Sequence, residues 1–395
     1  MPGQAKRLLT RLIDEYVKAN PKSASEHKRA SNVMPAGNTR AVFVYQPFPL
    51  IMATGQDCYL TSLDGRVYLD FASEYFAGMF GHSHPMVKAA IDDAASMGFN
   101  FGAPSQKEID LGEAITSRFP SMDMLQFCTS GTEANTLAIA VAMNYARRKK
   151  VMVFHNGYHG NTLSFKADSA LRLPHQFILA PYNDIPGTRA LLEPDIGVII
   201  VEPMQAAGGM VPATRDFLAF LRDQVTELEA VLIFDEVVTA RTSYHGMQGY
   251  HNIIPDMTTV GKFFGGGLPF GAYGGRRNIM NTLDTRLANS LHHSGTWHNN
   301  IFTMAAGLAA TGLIVCLTAG TAVVRGFGSL IGVQFIGPDS DALRDAFYFY
   351  LLKRGIYIGH RGFLCLNIMH EERHIHAVLE AAEGFCKEAF FAASL

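Results

Sequence analysis

Val198-Ile199-Ile200-Val201-Glu202-Pro203 and Val231-Leu232-Ile233-Phe234-Asp235-Glu236-Val237 each hold an unbroken run of four apolar residues that ends on an acid. Runs without polar alternation read as strands buried on both faces, and Thr214–Thr226 between them has helical spacing. Working outward, Leu125–Cys128 and Val151–His155 read as further strands, with helices over Glu133–Arg148 and from Glu108 to Arg118. Strands that alternate with helices predict a largely parallel sheet with helical crossovers, an α/β fold. Ligands of such sheets gather at the carboxyl ends of the strands, so the residues just after each run are the ones to read for function. Nearer the start, Cys58–Asp70 alternates about Asp64-Gly65, a hairpin signal. Leu8, Leu9, Leu12, Ile13, Tyr16 and Val17 recur at helical spacing and predict a docking helix.

The 395 residues suffice for two or three domains, and 48% hydrophobic against 17% charged residues excludes intrinsic disorder. With 33 Lys+Arg against 35 Asp+Glu, no polyanion-binding surface is expected. Five scattered cysteines (Cys58, Cys128, Cys316, Cys365, Cys386) without a CxxC pair argue against a disulfide framework or a zinc site. Free, mostly buried thiols in a reducing compartment are the expectation, and no metal. No secretory signal opens the chain, and no stretch reaches the about 18–20 apolar residues of a membrane span. These features point to the cytoplasm.

The residues after the strands carry the chemistry. Thr129-Ser130-Gly131-Thr132-Glu133 opens a helix whose unpaired N–H groups suit an anion such as phosphate; an ordinary Ser/Thr cap is the alternative. His155-Asn156-Gly157-Tyr158-His159-Gly160 sets an aromatic ring and an imidazole on a glycine-loosened loop, where Tyr158 could equally be packing. Asp235 follows four apolar residues and is costly to bury without a cationic partner, which need not be protein. Thr258–Ala272 holds one lysine, Lys262, among fifteen residues with no other charge. Apolar surroundings disfavour its ammonium form and make it a better nucleophile for a carbonyl. A P-loop is excluded, because Asp256 stands where its first glycine belongs and Phe263 where Ser or Thr belongs; Gly265-Gly266-Gly267 also lacks the dinucleotide-binding spacing.

Taken in order, Ser130-Gly131-Thr132-Glu133-Ala134, Tyr158-His159-Gly160, Glu202-Pro203, Asp235-Glu236-Val237 and Gly261-Lys262 with Gly266-Gly267-Leu268-Pro269 resemble the class III aminotransferases of the pyridoxal-phosphate fold type I. The resemblance is to the glutamate-1-semialdehyde aminomutase-like branch over roughly residues 30–310. Gly37-Asn38-Thr39-Arg40 and His293-Ser294-Gly295-Thr296-Trp297-His298-Asn299-Asn300 look most like its β-phenylalanine (β-amino acid) aminotransferases. That resemblance implies a large domain with a mostly parallel, seven-stranded-type sheet and a smaller α+β domain built from both chain ends. Residues 1–70 would open the small domain, 71–304 form the large cofactor-binding domain, and 305–395 complete the small one.

By the same resemblance, Lys262 would hold pyridoxal 5'-phosphate as a Schiff base and shuttle a proton. Asp235 would pair with the pyridine nitrogen. Ser130, Gly131 and Thr132 would bind phosphate, Tyr158 would stack on the ring, and Val237 would pack its other face. His159 and Glu202 would complete the cofactor surroundings, with Glu202 ordering the Asp235 region. Thr296 would reach the partner's phosphate in a homodimer. Arg40 and Arg361 would contact a substrate carboxylate, although either could be a surface arginine. An aminotransferase acting between a β-amino or aromatic amino acid and a keto acid is the leading expectation, with no nucleic-acid or membrane partner. An aminomutase would use the same residues without needing a keto acid, and a catalytically idle partner protein is the third alternative. The chain departs from the family between Gly312 and Phe327, where about sixteen residues bridge a gap that family members fill with roughly one more helix.

Overall fold

The computed structural model describes residues 2–165, 167–319, 330–332 and 339–391. The chain divides into two compact units, Met1–His84 with Ser329–Leu395, and Pro85–Gly328. The division falls at 84/85 and 328/329, against the expected 70/71 and 304/305. Residues 71–84 stay with the first unit because Cys365 N–H donates to Phe71 O (2.7 Å), Ser73 Oγ to Cys365 O (2.9 Å) and Ile368 N–H to Met79 O (3.0 Å). The helix Ile301–Ala319 belongs to the second unit, where it packs on Pro85–Met97 and Gln106–Thr116. That helix carries the first half of the 312–327 stretch; residues 320–327 lie outside the described residues.

In the first unit the expected hairpin forms between Tyr59–Ser62 and Val67–Asp70. Met52–Gln56 flanks it on one side, and Ile356–Tyr357 joins parallel to Val67–Asp70 on the other, so both chain ends build one four-stranded sheet. The N-terminal helix Pro2–Ala19 buries Leu8, Leu12 and Tyr16 and packs along the helix Ser340–Lys353. Burying such side chains contributes about 1.5–3 kcal/mol each, which is what docks the helix.

A backbone feature of this unit escaped the sequence. Ser73, Glu74, Tyr75 and Phe76 have φ of 42°, 52°, 57° and 77°, one turn of left-handed helix without a glycine. Left-handed L-residues cost about 1–2 kcal/mol each, so the surroundings must hold the turn. Asp70 Oδ1 accepts from the N–H groups of Ala72 and Ser73 (2.8 and 3.2 Å). Phe363 packs edge-on to Tyr75 and tilted against Phe76. His82 pairs with Asp70 Oδ2 (2.9 Å) and Glu74 Oε1 (3.3 Å). Burial opposes charge on His82, but these two carboxylates outweigh it and lift the imidazole from 6.5 to about 9.

A raised folded value gives stabilisation that is complete below about 6.5 and lost as pH rises through about 9. His82→Gln is therefore expected to cost about 1–2 kcal/mol near neutrality after solvent screening. Urea unfolding at several pH values should show the gap to the parent closing above pH 9. A gap that does not change with pH would remove the ion pair from the support of the turn.

The second unit holds the seven-stranded sheet, whose strands are β1 Met124–Cys128, β2 Lys150–Phe154, β3 Gln176–Ala180, β4 Ile196–Val201, β5 Val231–Asp235, β6 Met257–Gly261 and β7 Gly271–Gly275. Their order is β1-β7-β6-β5-β4-β2-β3. All neighbours are parallel except β7, which runs antiparallel to both β1 and β6. Strands β4 and β5 are buried at every residue, as their unbroken apolar runs predict. Helix α1 (Gly131–Ala146) crosses over from β1, and helix α2 (Arg215–Glu227), capped by the Thr214 hydroxyl, lies between β4 and β5.

Candidate active site

Strands β1, β4, β5 and β6 all end at one edge of the sheet, and each hands over to a residue singled out in the sequence. Strand β5 ends on Asp235, 5% exposed. Its Oδ2 accepts from His159 Nδ1 (2.8 Å) and Asn135 Nδ2 (2.8 Å), and its Oδ1 from the Val237 N–H (3.0 Å). Burial opposes charge on His159, yet the hydrogen bond and charge of Asp235, with the field of Glu202, raise its pKa. The His159 and Asn135 hydrogen bonds to Oδ2 and the Val237 bond to Oδ1 are what let the acid tolerate burial. Among the described residues this is the only ion pair Asp235 makes.

Asn135 and Thr259 were not anticipated as site residues. Asn135 donates to Asp235 and to His159 O (3.1 Å), and accepts from Thr259 Oγ1 (2.6 Å) on β6. All three groups are buried, so this chain of bonds fixes the carboxylate orientation. The available signal was polarity at buried positions: an Asn on the buried face of helix α1, among Ala134, Ala138, Ile139 and Ala142, and a threonine pair in β6.

Glu202, just past β4, accepts from the Tyr158 N–H (2.9 Å) and the Ala206 N–H (3.3 Å). Burial lifts its carboxyl to about 7, with the His159 charge pulling the other way and Asp235 adding to the rise. It thus anchors the loop that carries Tyr158 and His159 rather than bonding Asp235 itself. Tyr158 is 38% exposed and donates to Asn161 Oδ1 (2.9 Å). His159, expected beside the cofactor, is buried and hydrogen-bonded to Asp235.

Helix α1 begins at Gly131, and Ser130 Oγ accepts from the Glu133 N–H (3.2 Å), so the Ser130 side chain is the cap its sequence context allows. The N–H groups of Gly131 and Thr132 lie at the positive end of the helix. Close approach explains the glycines here. A Cβ on Gly131 would stand 2.8 Å from Val237 Cγ1, one on Gly160 2.3 Å from Thr132 Oγ1, and one on Gly271 2.2 Å from Ser130 O. Lys262 follows β6 with φ 55°, half-buried, on the short turn Lys262–Gly265; a Cβ on Gly261 would lie 3.3 Å from Val237 Cγ1. The helix terminus, Val237 and the start of the lysine turn therefore meet.

Thr296 and its neighbour Trp297 are exposed. Arg40 and Arg361 lie in the first unit, both exposed. The Arg40 guanidinium sits 4.8 Å from the ring centroids of Phe43 and Tyr75. Burial raises the Tyr75 phenol pKa while both arginines pull it down, so two residues 321 positions apart act on one hydroxyl.

These residues fit a phosphate-bearing aromatic cofactor that a lysine binds covalently. The helix terminus suits the phosphate, the Asp235 carboxylate a protonated ring nitrogen, and Lys262 a carbonyl. Residues 43–317 match the family model "Aminotransferase class-III". A β-phenylalanine transaminase of Variovorax paradoxus is 38% identical over 407 residues, covering 94% of each chain. A glutamate-1-semialdehyde 2,1-aminomutase of Methanothermobacter thermautotrophicus is 33% identical over 413 residues, 92% of this chain and 98% of that one. The crystal structure of a β-phenylalanine aminotransferase from Variovorax paradoxus superposes with a TM-score of 0.90 at 36% identity, covering 97% of both chains. Both sequence alignments are longer than the 395 residues of this chain, so these relatives carry positions without a counterpart here.

Proposed function

The chain belongs to the class-III aminotransferases, and from that premise we propose that it moves an amino group between a β-amino or aromatic amino acid and a keto acid. Its cofactor is pyridoxal 5'-phosphate, which when bound supplies an electrophilic carbonyl and an electron-withdrawing ring. The observation that carries the reading is the meeting of Lys262, Asp235 and the start of α1 at adjacent strand ends. Lys262 Nζ is the amine that would join the carbonyl carbon with loss of water and, once released, would take and return the proton at the substrate's amino-bearing carbon. Asp235 keeps the ring nitrogen protonated, and the His159, Asn135 and Val237 bonds leave it a single orientation. Gly131 and Thr132 hold the phosphate, while Tyr158 and Val237 flank the ring. A screen of candidate amines against the yellow holoenzyme, following loss of its visible colour, tests this. Turnover that needs no keto acid would instead mark an aminomutase.

We place Arg40 and Arg361 as the groups that hold a substrate carboxylate, on the ground that both act on the Tyr75 hydroxyl. An arginine fork grips a carboxylate by two hydrogen bonds that lysine cannot reproduce. Arg40→Lys is expected to raise KM for β-phenylalanine by about ten- to a hundredfold, since losing a charge-assisted contact costs about 1.5–3 kcal/mol. 1-Phenylethylamine, which lacks the carboxylate, should lose nothing. An equal loss for both amines, or none for either, removes Arg40 from the substrate site.

The proposed assembly is a cytoplasmic homodimer in which Thr296 reaches the partner's phosphate. Among the described residues no helix is long and apolar enough to cross a membrane. If the phosphate bridges subunits, cofactor and dimer are linked by mass action, and stripping the cofactor should weaken self-association. Sedimentation of a monomer that still binds cofactor in full would contradict it.

A further inference from the structure

Glu133, in the first turn of α1, faces two imidazoles from a loop about 160 residues further on. One nitrogen each of His293 and His298 and one Glu133 oxygen lie within 4.8 Å of one another. We propose that these three side chains bind a divalent transition-metal ion of the zinc class. The proposal does not rest on the aminotransferase reading.

Four observations carry it. His298 Nε2 and Glu133 Oε1 already meet in a 2.9 Å hydrogen bond, whose proton an ion would displace. Glu133 is oriented from behind, its Oε2 accepting from the Thr129 N–H (2.8 Å) and hydroxyl (2.7 Å), the kind of outer support that aims a carboxylate at a metal. His293 Nε2 is buried and has no hydrogen-bond partner among the described residues, a cost that a bound ion would remove. Its ring centroid lies 5.0 Å from that of His298. Finally, the loop bends so tightly that a Cβ on Gly295 would stand 2.0 Å from His298 Nε2, so glycine is what lets the ring turn toward Glu133.

Two imidazoles and a carboxylate are the donor set of open zinc sites, with water completing the shell. Tetrahedral bonds of about 2.0–2.2 Å place donors about 3.3–3.6 Å apart, so on binding the widest separation closes by about 1.2–1.5 Å and the His298–Glu133 pair opens by about 0.4–0.7 Å. The His298 and Glu133 side chains are 15% and 31% exposed, so an ion can enter. Once bound, it would tie the loop carrying Thr296 to the first turn of α1.

The chain supplies its own reporter, because its single tryptophan, Trp297, adjoins His298 and is 59% exposed. Chelator-stripped holoenzyme titrated with Co²⁺ or Ni²⁺ should show saturable quenching of Trp297 fluorescence, reversed by non-quenching Zn²⁺. His293→Asn and, separately, His293→Gln should weaken the midpoint at least tenfold, the loss expected when a partner of a metal site is removed, with circular dichroism unchanged. Quenching that rises linearly without saturation, resists Zn²⁺ or is the same in the folded His293 variants would overturn the site.

Discussion

Lys262→Ala is expected to abolish turnover while the protein keeps its fold and its affinity for phosphate-bearing ligands. The mutation removes the one lysine of Thr258–Ala272, and with it, in the proposed roles, both the covalent attachment and the proton carrier. The fold should survive because the side chain leaves a half-buried turn, not one of the buried apolar clusters. At about 1.4 kcal/mol per factor of ten, losing a nucleophile and a proton carrier together is the largest single effect available at this site. Single-turnover rates of the purified variant, with circular dichroism as the fold control, provide the measurement. Substantial residual transamination would defeat the assignment of Lys262.

Asp235→Asn should cost several orders of magnitude in kcat. A neutral amide of nearly the same shape can keep the Val237 bond, but it cannot hold a proton on a ring nitrogen. It also faces His159, whose raised pKa depends on the Asp235 charge, so the imidazole should fall back toward a neutral state. A change in the His159 titration, read by NMR on the cofactor-free protein, separates loss of charge from loss of shape. Activity within about threefold of the parent would reduce Asp235 to a strand cap.

Asp235 stood out in the sequence because charge at the end of an unbroken apolar run needs a chemical reason, and Lys262 because it is the one charge in Thr258–Ala272. The parallel strands β2, β4 and β5 were legible for the matching reason, an apolar side chain at nearly every position. Strand β7 was not: Gly271-Ala272-Tyr273-Gly274-Gly275 has no apolar run, and its glycines serve close packing rather than flexibility. Asn135 and Thr259 stayed hidden because their role is to bond one another and Asp235 across 124 residues, and single-chain patterns carry no such pairing. The bond from His159 to Asp235 was not legible either, since a histidine next to a tyrosine on a loop reads the same whatever it bonds.

The left-handed turn at Ser73–Phe76 bears on how variation in this protein would be interpreted. Mutations there are filtered first by backbone handedness: β-branched side chains meet steric conflict at every position, whereas glycine, asparagine and aspartate fit. Such a segment would drift little over evolutionary time even if none of its side chains met a ligand. Invariance at Glu74 or Tyr75 would therefore be the signature of mirror-image geometry before it was evidence of chemistry. Only a change that spares the handedness, such as Glu74→Asn, could tell the two apart.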